Sequence, residues 1–173
     1  MSPSLYIMRH GRAEAGMGMP DDQRALTEEG LEQLGAVAAG LVAEETAFDL
    51  VLCSPFRRTL QTAETVIAAM NLNIEPVPVE ALASGASSPE RCIEAIAEQI
   101  ALADSPGSIL AVGHLPEVSY IVGCLCSGLG CRAVDFSPAT IVRLSCHGAP
   151  RPGNGSIVWA LRPAMLAALA GRP

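Results

Sequence analysis

An α/β fold is the class this sequence predicts: a three-layer αβα sandwich around a mostly parallel sheet, with an antiparallel element at one edge. Three observations predict it. Up to residue 126, short apolar runs suited to buried strands alternate with longer segments of helical periodicity. The pattern then changes, and two strand-like runs follow one another with no helix between them. Half of the 173 residues are apolar, enough for the hydrophobic core of one domain spanning residues 1–173.

The elements follow in order. Leu5–Met8 is a short apolar run that leads directly into Arg9-His10-Gly11. A polar loop rich in Gly, Met and Asp ends at Leu26-Thr27, where Thr27 suits an N-cap and Glu28 and Glu29 suit a first helical turn. Leu31, Leu34, Val37, Ala38 and Leu41 then recur at helical spacing. Asp49–Cys53 reads as a buried strand, and Ser54-Pro55 as the opening of a second helix reaching Met70. Ile74–Val79 is a third extended run. A helix begins at Ser87-Ser88-Pro89-Glu90 and reaches Leu102, with Cys92, Ile93, Ile96 and Ile100 on one side. Ser108–Val112 is a fourth strand ending at Gly113-His114, and Pro116 starts a helix to Cys126. Thr140–Leu144 and Ser156–Leu161 are the final strand pair, joined by a turn holding Pro150, Pro152, Gly153, Asn154 and Gly155. A short Ala/Leu-rich segment follows Pro163.

The net charge of −7 and the lack of a Lys/Arg-rich run argue against nucleic acid or an anionic membrane as partner. An acidic protein that binds an anion must concentrate its few cations locally. The N-terminus has neither the cationic start nor the long apolar core of an export signal, and no apolar stretch is long enough to span a bilayer. A cytoplasmic location is therefore expected, with the six cysteines as free thiols. The Cys124-x-Cys126-x4-Cys131 spacing is not that of a zinc knuckle or ribbon, and no metal is assigned to it. Nothing in the composition sets the oligomeric state.

In open α/β sheets, ligands bind at the carboxyl ends of the strands. The first strand runs into Arg9-His10-Gly11, the second into Ser54-Pro-Phe-Arg-Arg58, and the fourth into Gly113-His114. Two of the three histidines and a basic cluster thus fall at strand ends, and the loop after the first strand adds Arg24. Guanidinium forks suit the equatorial oxygens of a transferring phosphoryl group, and a neutral imidazole can attack phosphorus in line. Gly11 would let the backbone pass close to a ligand, and helix starts near Pro55 and Pro116 would add N–H donors.

These motifs also carry a resemblance. Leu-Tyr-Ile-Met-Arg-His-Gly (5–11), Leu26-Thr27-x-x-Gly30, Ser54-Pro-x-x-Arg58-x-x-Gln61-Thr62-Ala63 and Gly113-His114 resemble, in the same order, the signatures of the histidine phosphatase superfamily, which includes phosphoglycerate mutases. Arg24 before the Leu-Thr pair, Ser54-Pro-Phe, His114-Leu-Pro and the ending Gly155-Ser-Ile-Val-Trp159 are similar to the small phosphohistidine phosphatases of the SixA type. The resemblance covers nearly the whole chain and implies a phosphoglycerate mutase-like fold. It makes His10 the nucleophile and His114 the residue that completes the pocket. Arg9 and Arg58 become binders of phosphoryl oxygens, and Arg24 a further arginine of the phosphate pocket. Arg58, not Arg57, falls at the family position. Many members use a glutamate after the third strand as proton donor; the corresponding residue is Glu80, with Glu14 as the alternative or neither.

What the resemblance implies is a phosphatase acting on phosphohistidine in a partner protein, such as a phosphotransfer domain, with roles in signal transduction and no cofactor. The short segment from Glu80 to Ser88, where larger members insert lids, suits an open pocket that admits a side chain on another protein. Other readings are a phosphatase or pyrophosphatase for small metabolites, a metallohydrolase built on His10 and His114, and a non-catalytic phosphate-binding domain.

Overall fold

The computed structural model describes residues 3–104 and 106–171. Its strands are β1 (Ser4–Arg9), β2 (Leu50–Cys53), β3 (Val77–Pro78), β4 (Ser108–Gly113), β5 (Ile141–Cys146) and β6 (Gly155–Leu161). Its helices are α1 (Glu28–Ala43), α2 (Arg57–Ala69), α3 (Pro89–Leu102), α4 (Glu117–Ser127) and α5 (Pro163–Ala170), with single 3-10 turns at Asp21–Gln23 and Glu80–Leu82.

The strands form one sheet in the order β3-β2-β4-β1-β5-β6. β1 pairs in parallel with β4 and antiparallel with β5, and β6 is antiparallel to β5. The expected mostly parallel sheet with an antiparallel edge element is therefore the one observed. Alternation along β1 shows how the sandwich closes. Leu5 and Ile7 enter the layer of Ile93 and Ile96 on α3 and Val118 and Ile121 on α4. Tyr6 and Met8 enter the opposite layer with Leu34 and Val37 on α1, Val66 on α2 and Leu166 on α5. Successive side chains point to opposite faces, so one strand feeds both cores. Of the five apolar positions expected to line α1, Leu31 is exposed and the other four are buried.

Three expectations about boundaries are corrected. The third extended run pairs only at Leu52↔Val77 and Cys53↔Pro78, because Pro76 and Pro78 cannot donate to a ladder and confine it to an edge. α2 begins at Arg57 with Phe56 as its N-cap, so Pro55 precedes the helix rather than opening it. Likewise Pro116 is the N-cap of α4, not its first residue. The caps on α1 and α3 are as expected: Thr27 Oγ1 accepts from Gly30 N at 3.0 Å and Ser88 Oγ from Arg91 N at 3.4 Å.

Two features fix the loop after β1. A β-carbon on Gly30 would collide with the Arg12 carbonyl oxygen, so only glycine lets the start of α1 lie against the backbone leaving β1. The backbone of His10 is held on both sides, its N–H donating to Gly113 O at 3.0 Å and its carbonyl accepting from Ala139 N at 3.1 Å. His10 therefore sits one step beyond the last residue of a central strand, with its main chain fixed by both neighbouring segments.

Candidate active site

Three of the predicted residues meet in one hydrogen-bonded cluster at the carboxyl ends of β1 and β4. His10, Arg58 and His114 are only 8%, 4% and 1% exposed. Arg58 Nε donates to His10 Nε2 at 3.3 Å, and Arg58 Nη2 lies 3.0 Å from His114 Nδ1. The two imidazole centroids are 5.3 Å apart.

The partners determine both tautomers. His10 Nδ1 lies 2.7 Å from the Gly11 carbonyl, which can only accept, so Nδ1 carries the hydrogen and Nε2 the lone pair. A guanidinium only donates, so His114 Nδ1 accepts from Arg58 and His114 Nε2–H donates to Ser54 Oγ at 2.8 Å. Both rings are thus neutral, each with a lone pair toward Arg58. Burial lowers the His10 pKa to about 4; the Gly11 carbonyl opposes this, and the charges of Arg58, Arg9 and Arg24 add to it. Burial, followed by the Arg58 charge, lowers that of His114 to about 3. At neutral pH His10 presents an unprotonated ring nitrogen in a cationic field.

Residues that the motifs contained but that were given no role build this cluster. Thr62 Oγ1 accepts the Gly11 N–H at 3.0 Å and donates to the Arg58 carbonyl at 2.6 Å, tying the His10 loop to α2. Gln61 Oε1 accepts from Leu26 N at 2.8 Å, which fastens the Leu-Thr pair to the same helix. Phe56 packs on His114 with centroids 5.0 Å apart and lies 5.1 Å from the Arg58 guanidinium carbon. Gly11, expected to let the backbone pass close to a ligand, gives its N–H to Thr62 and its carbonyl to His10, and so orients the imidazole.

Arg9 is partly buried and gives Nη1 to Phe136 O at 2.8 Å, while its buried Nε has no partner among the described residues. Arg24 is more exposed and donates from Nε to Glu14 O and from Nη1 to Asp21 Oδ1, each at 2.8 Å. Arg57 is exposed. Glu80 and Glu14 are exposed, and among the described residues neither carboxylate bonds to His10, Arg58 or His114. Asp21 is the acid that does reach the cluster; nothing in its loop sequence distinguished it from Asp22. Among the described residues no His, Cys, Asp or Glu side chains gather as metal ligands would, and no helix is long and apolar enough to cross a membrane.

Two neutral histidines thus flank a buried arginine at the ends of parallel strands. The histidine phosphatase superfamily (branch 1) model matches residues 5–84. Phosphohistidine phosphatase SixA of Escherichia coli (strain K12) is 30% identical over 162 residues, covering 94% of this chain and 95% of that protein. The chain belongs to the histidine phosphatase superfamily. It is accordingly a hydrolase. An uncharacterized protein of Mycobacterium tuberculosis (strain ATCC 25618 / H37Rv) is 33% identical, covering 87% of this chain and 96% of its own. A structure of the protein histidine phosphatase SixA complexed with tungstate superposes with a TM-score of 0.81 at 27% identity, over 93% of this chain and 97% of that one. Phosphoglycerate mutase from Bacillus anthracis str. Sterne shares the fold, with a TM-score of 0.66 at 16% identity over 99% of this chain and 97% of that one.

Proposed function

We propose that this superfamily member removes the phosphoryl group from phosphohistidine on a partner protein, through a covalent intermediate on His10 and without a metal. One observation carries the reading: His10 Nδ1 is tied to the Gly11 carbonyl, and its Nε2 lone pair points at the buried Arg58 fork shared with His114. That is the geometry of a nucleophile aimed at an anion-binding group.

In the first step a phosphoryl group enters between the histidines and takes the Arg58 donors that the free protein gives to them. Its negative charge favours protonation of His114, which then donates to a phosphoryl oxygen. His10 Nε2 forms a bond to phosphorus as the substrate's P–N bond breaks, and the departing imidazole, already protonated on its other ring nitrogen, keeps the electron pair and leaves neutral. In the second step water attacks phosphorus, the His10–P bond breaks, and inorganic phosphate leaves. Arg9, Arg24 and Arg58 supply the positive charge that stabilises both transition states. Arg9 Nε, buried without a partner among the described residues, is a donor suited to that load. An imidazole is a better leaving group than an alkoxide, so the exposed Glu80 and Glu14 are not required as proton donors.

The protein substrate is supported by the relative that is a phosphohistidine phosphatase and by the small segment over the site. Only a 3-10 turn at Glu80–Leu82 and a short loop separate β3 from α3, so this segment inserts no lid element. Phosphate release from a histidine-phosphorylated phosphotransfer domain, measured with excess chelator, tests the whole reading. Wild type should turn over and His10→Ala should lose roughly a thousand-fold or more. Turnover of small phosphate esters but not of the phosphoprotein would reassign the substrate, and loss of activity in chelator would sink the metal-free mechanism.

A further inference from the structure

Arg58 has five N–H donors in two forks, and the structure divides them between two kinds of partner. The side-on fork, Nε and Nη2, faces His10 and His114. The end-on fork, Nη1 and Nη2, is taken by a single residue: Nη1 donates to the Asp21 carbonyl and Nη2 to Asp21 Oδ2 at 2.9 Å. The other carboxylate oxygen, Oδ1, accepts from Arg24 Nη1 at 2.8 Å. Asp21 is thus a bridge between the buried arginine and the exposed one.

We propose that Asp21 is a positioning residue for phosphoryl transfer: it clamps Arg58 end-on so that the side-on fork is aimed at the phosphoryl group, and it tethers Arg24 over the same site. The inference rests on the reading of His10 as phosphoryl acceptor. Among the described residues, Asp21 supplies the only carboxylate in a salt bridge with Arg58, a guanidinium 4% exposed that would otherwise be a buried, uncompensated charge. The carboxyl of Asp21 is held below the ordinary carboxylate range, first by the Arg24 hydrogen bond and then by Arg58 against the opposing cost of burial. It is therefore ionised at neutral pH, where His10 is neutral.

An acidic side chain beside an anion site can also act as an internal competitor, and the geometry distinguishes the two roles. A competitor would sit on the fork that the phosphoryl group must use. Asp21 sits on the opposite fork, so a phosphoryl group between the histidines displaces Arg58's bonds to the rings and leaves the clamp intact. Arg24 is fixed the same way, with Nε on the Glu14 carbonyl and Nη1 on Asp21, which leaves Nη2 as its uncommitted end among the described residues. Asp21 reaches these partners from a single exposed 3-10 turn, so the clamp is a local device on the loop rather than part of the core.

The two roles predict opposite kinetics. Removing a negative charge near an anion site, by itself, strengthens substrate binding. Removing a clamp loosens the arginines and slows the chemical step. The experiment compares wild type, Asp21→Asn and Asp22→Asn on a histidine-phosphorylated phosphotransfer domain, with kcat and KM determined separately. Asp22→Asn removes the same charge one residue along and controls for long-range electrostatics. The expected result is a fall in kcat of roughly ten-fold or more for Asp21→Asn with KM unchanged or lower, and both constants within about two-fold of wild type for Asp22→Asn. The Nε–H resonance of Arg58, followed by NMR, should exchange faster with solvent in Asp21→Asn. Unchanged or raised kcat in Asp21→Asn, with wild type active, would overturn the clamp alone. Absence of turnover by wild type would overturn the functional reading and the clamp with it.

Discussion

The floor of the site and its rim are built on different physical terms. The floor is His10, Arg58 and His114, buried at the ends of β1 and β4 and the start of α2, each tied to the others and to Gly11, Thr62 or Ser54. The rim is the loop between β1 and α1, where the side chains of Arg24 and Asp21 are 27% and 54% exposed and Met17 is 91% exposed. In the floor, every polar contact is made in a desolvated setting and holds one arrangement. In the rim the same chemical groups meet water, and their pairing is weaker and more easily exchanged. On the proposed function, bond making would use the fixed geometry of the floor, and admission of a phosphorylated side chain the more yielding rim.

The sharpest way to break this contrast is to remove one arginine from each region. Arg58→Ala should lower kcat/KM at least a hundred-fold on a phosphohistidine protein, since it deletes the fork shared by both histidines. Arg24→Ala should cost only about ten-fold, mostly in KM. Equal losses would mean that the rim is as preorganised as the floor.

Acid should find the floor first. The folded pKa values of His10 and His114, about 4 and about 3, lie below the ordinary histidine value of 6.5. As pH falls below 6.5 the unfolded chain takes up protons that the folded chain refuses, so stability falls, at up to roughly 1.4 kcal/mol per pH unit for each histidine. The stabilising contribution is fully present above pH 6.5 and is lost as pH falls toward 4. Urea unfolding at pH 7 and pH 5 should show a larger loss for wild type than for a His10→Gln, His114→Gln double variant. Matching losses would show that these rings are not desolvated. The smallest expected effect is on the rim: Met17→Ser should shift stability by less than about 0.5 kcal/mol, and a larger shift would reveal packing there.

Most of the floor was legible in the sequence, because strand ends in an α/β sheet are where ligand groups collect and His10, Arg58 and His114 lie at or just beyond them. Much of the rest depends on distances that sequence does not contain. Thr62 carried a visible signal, lying one helical turn after Arg58, but its bond to Gly11 spans 51 residues of chain. Asp21 had no signal, since it shares a Gly/Met/Asp stretch with Asp22 and only its bonds to Arg58, 37 residues along the chain, set it apart. Glu80 was suggested by family position, but it stands on an exposed 3-10 turn, away from the histidines' hydrogen bonds. The extent of β3 was misjudged because apolar residues mark a run as extended, whereas the missing N–H groups of Pro76 and Pro78 decide how much of it can pair.

In the free protein, Arg58 and the two histidines satisfy one another. An anion that enters therefore exchanges bonds instead of gaining them, and its net affinity is tempered by what it must break. For a cycle that ends with inorganic phosphate in the site, this internal exchange is a release mechanism. As the product departs, the side chains close back onto each other, so the Arg58 donors that face the histidines are not left bare. Tight holding is thereby reserved for the short-lived five-coordinate phosphorus, whose extra charge and in-line geometry the resting ring of bonds cannot imitate.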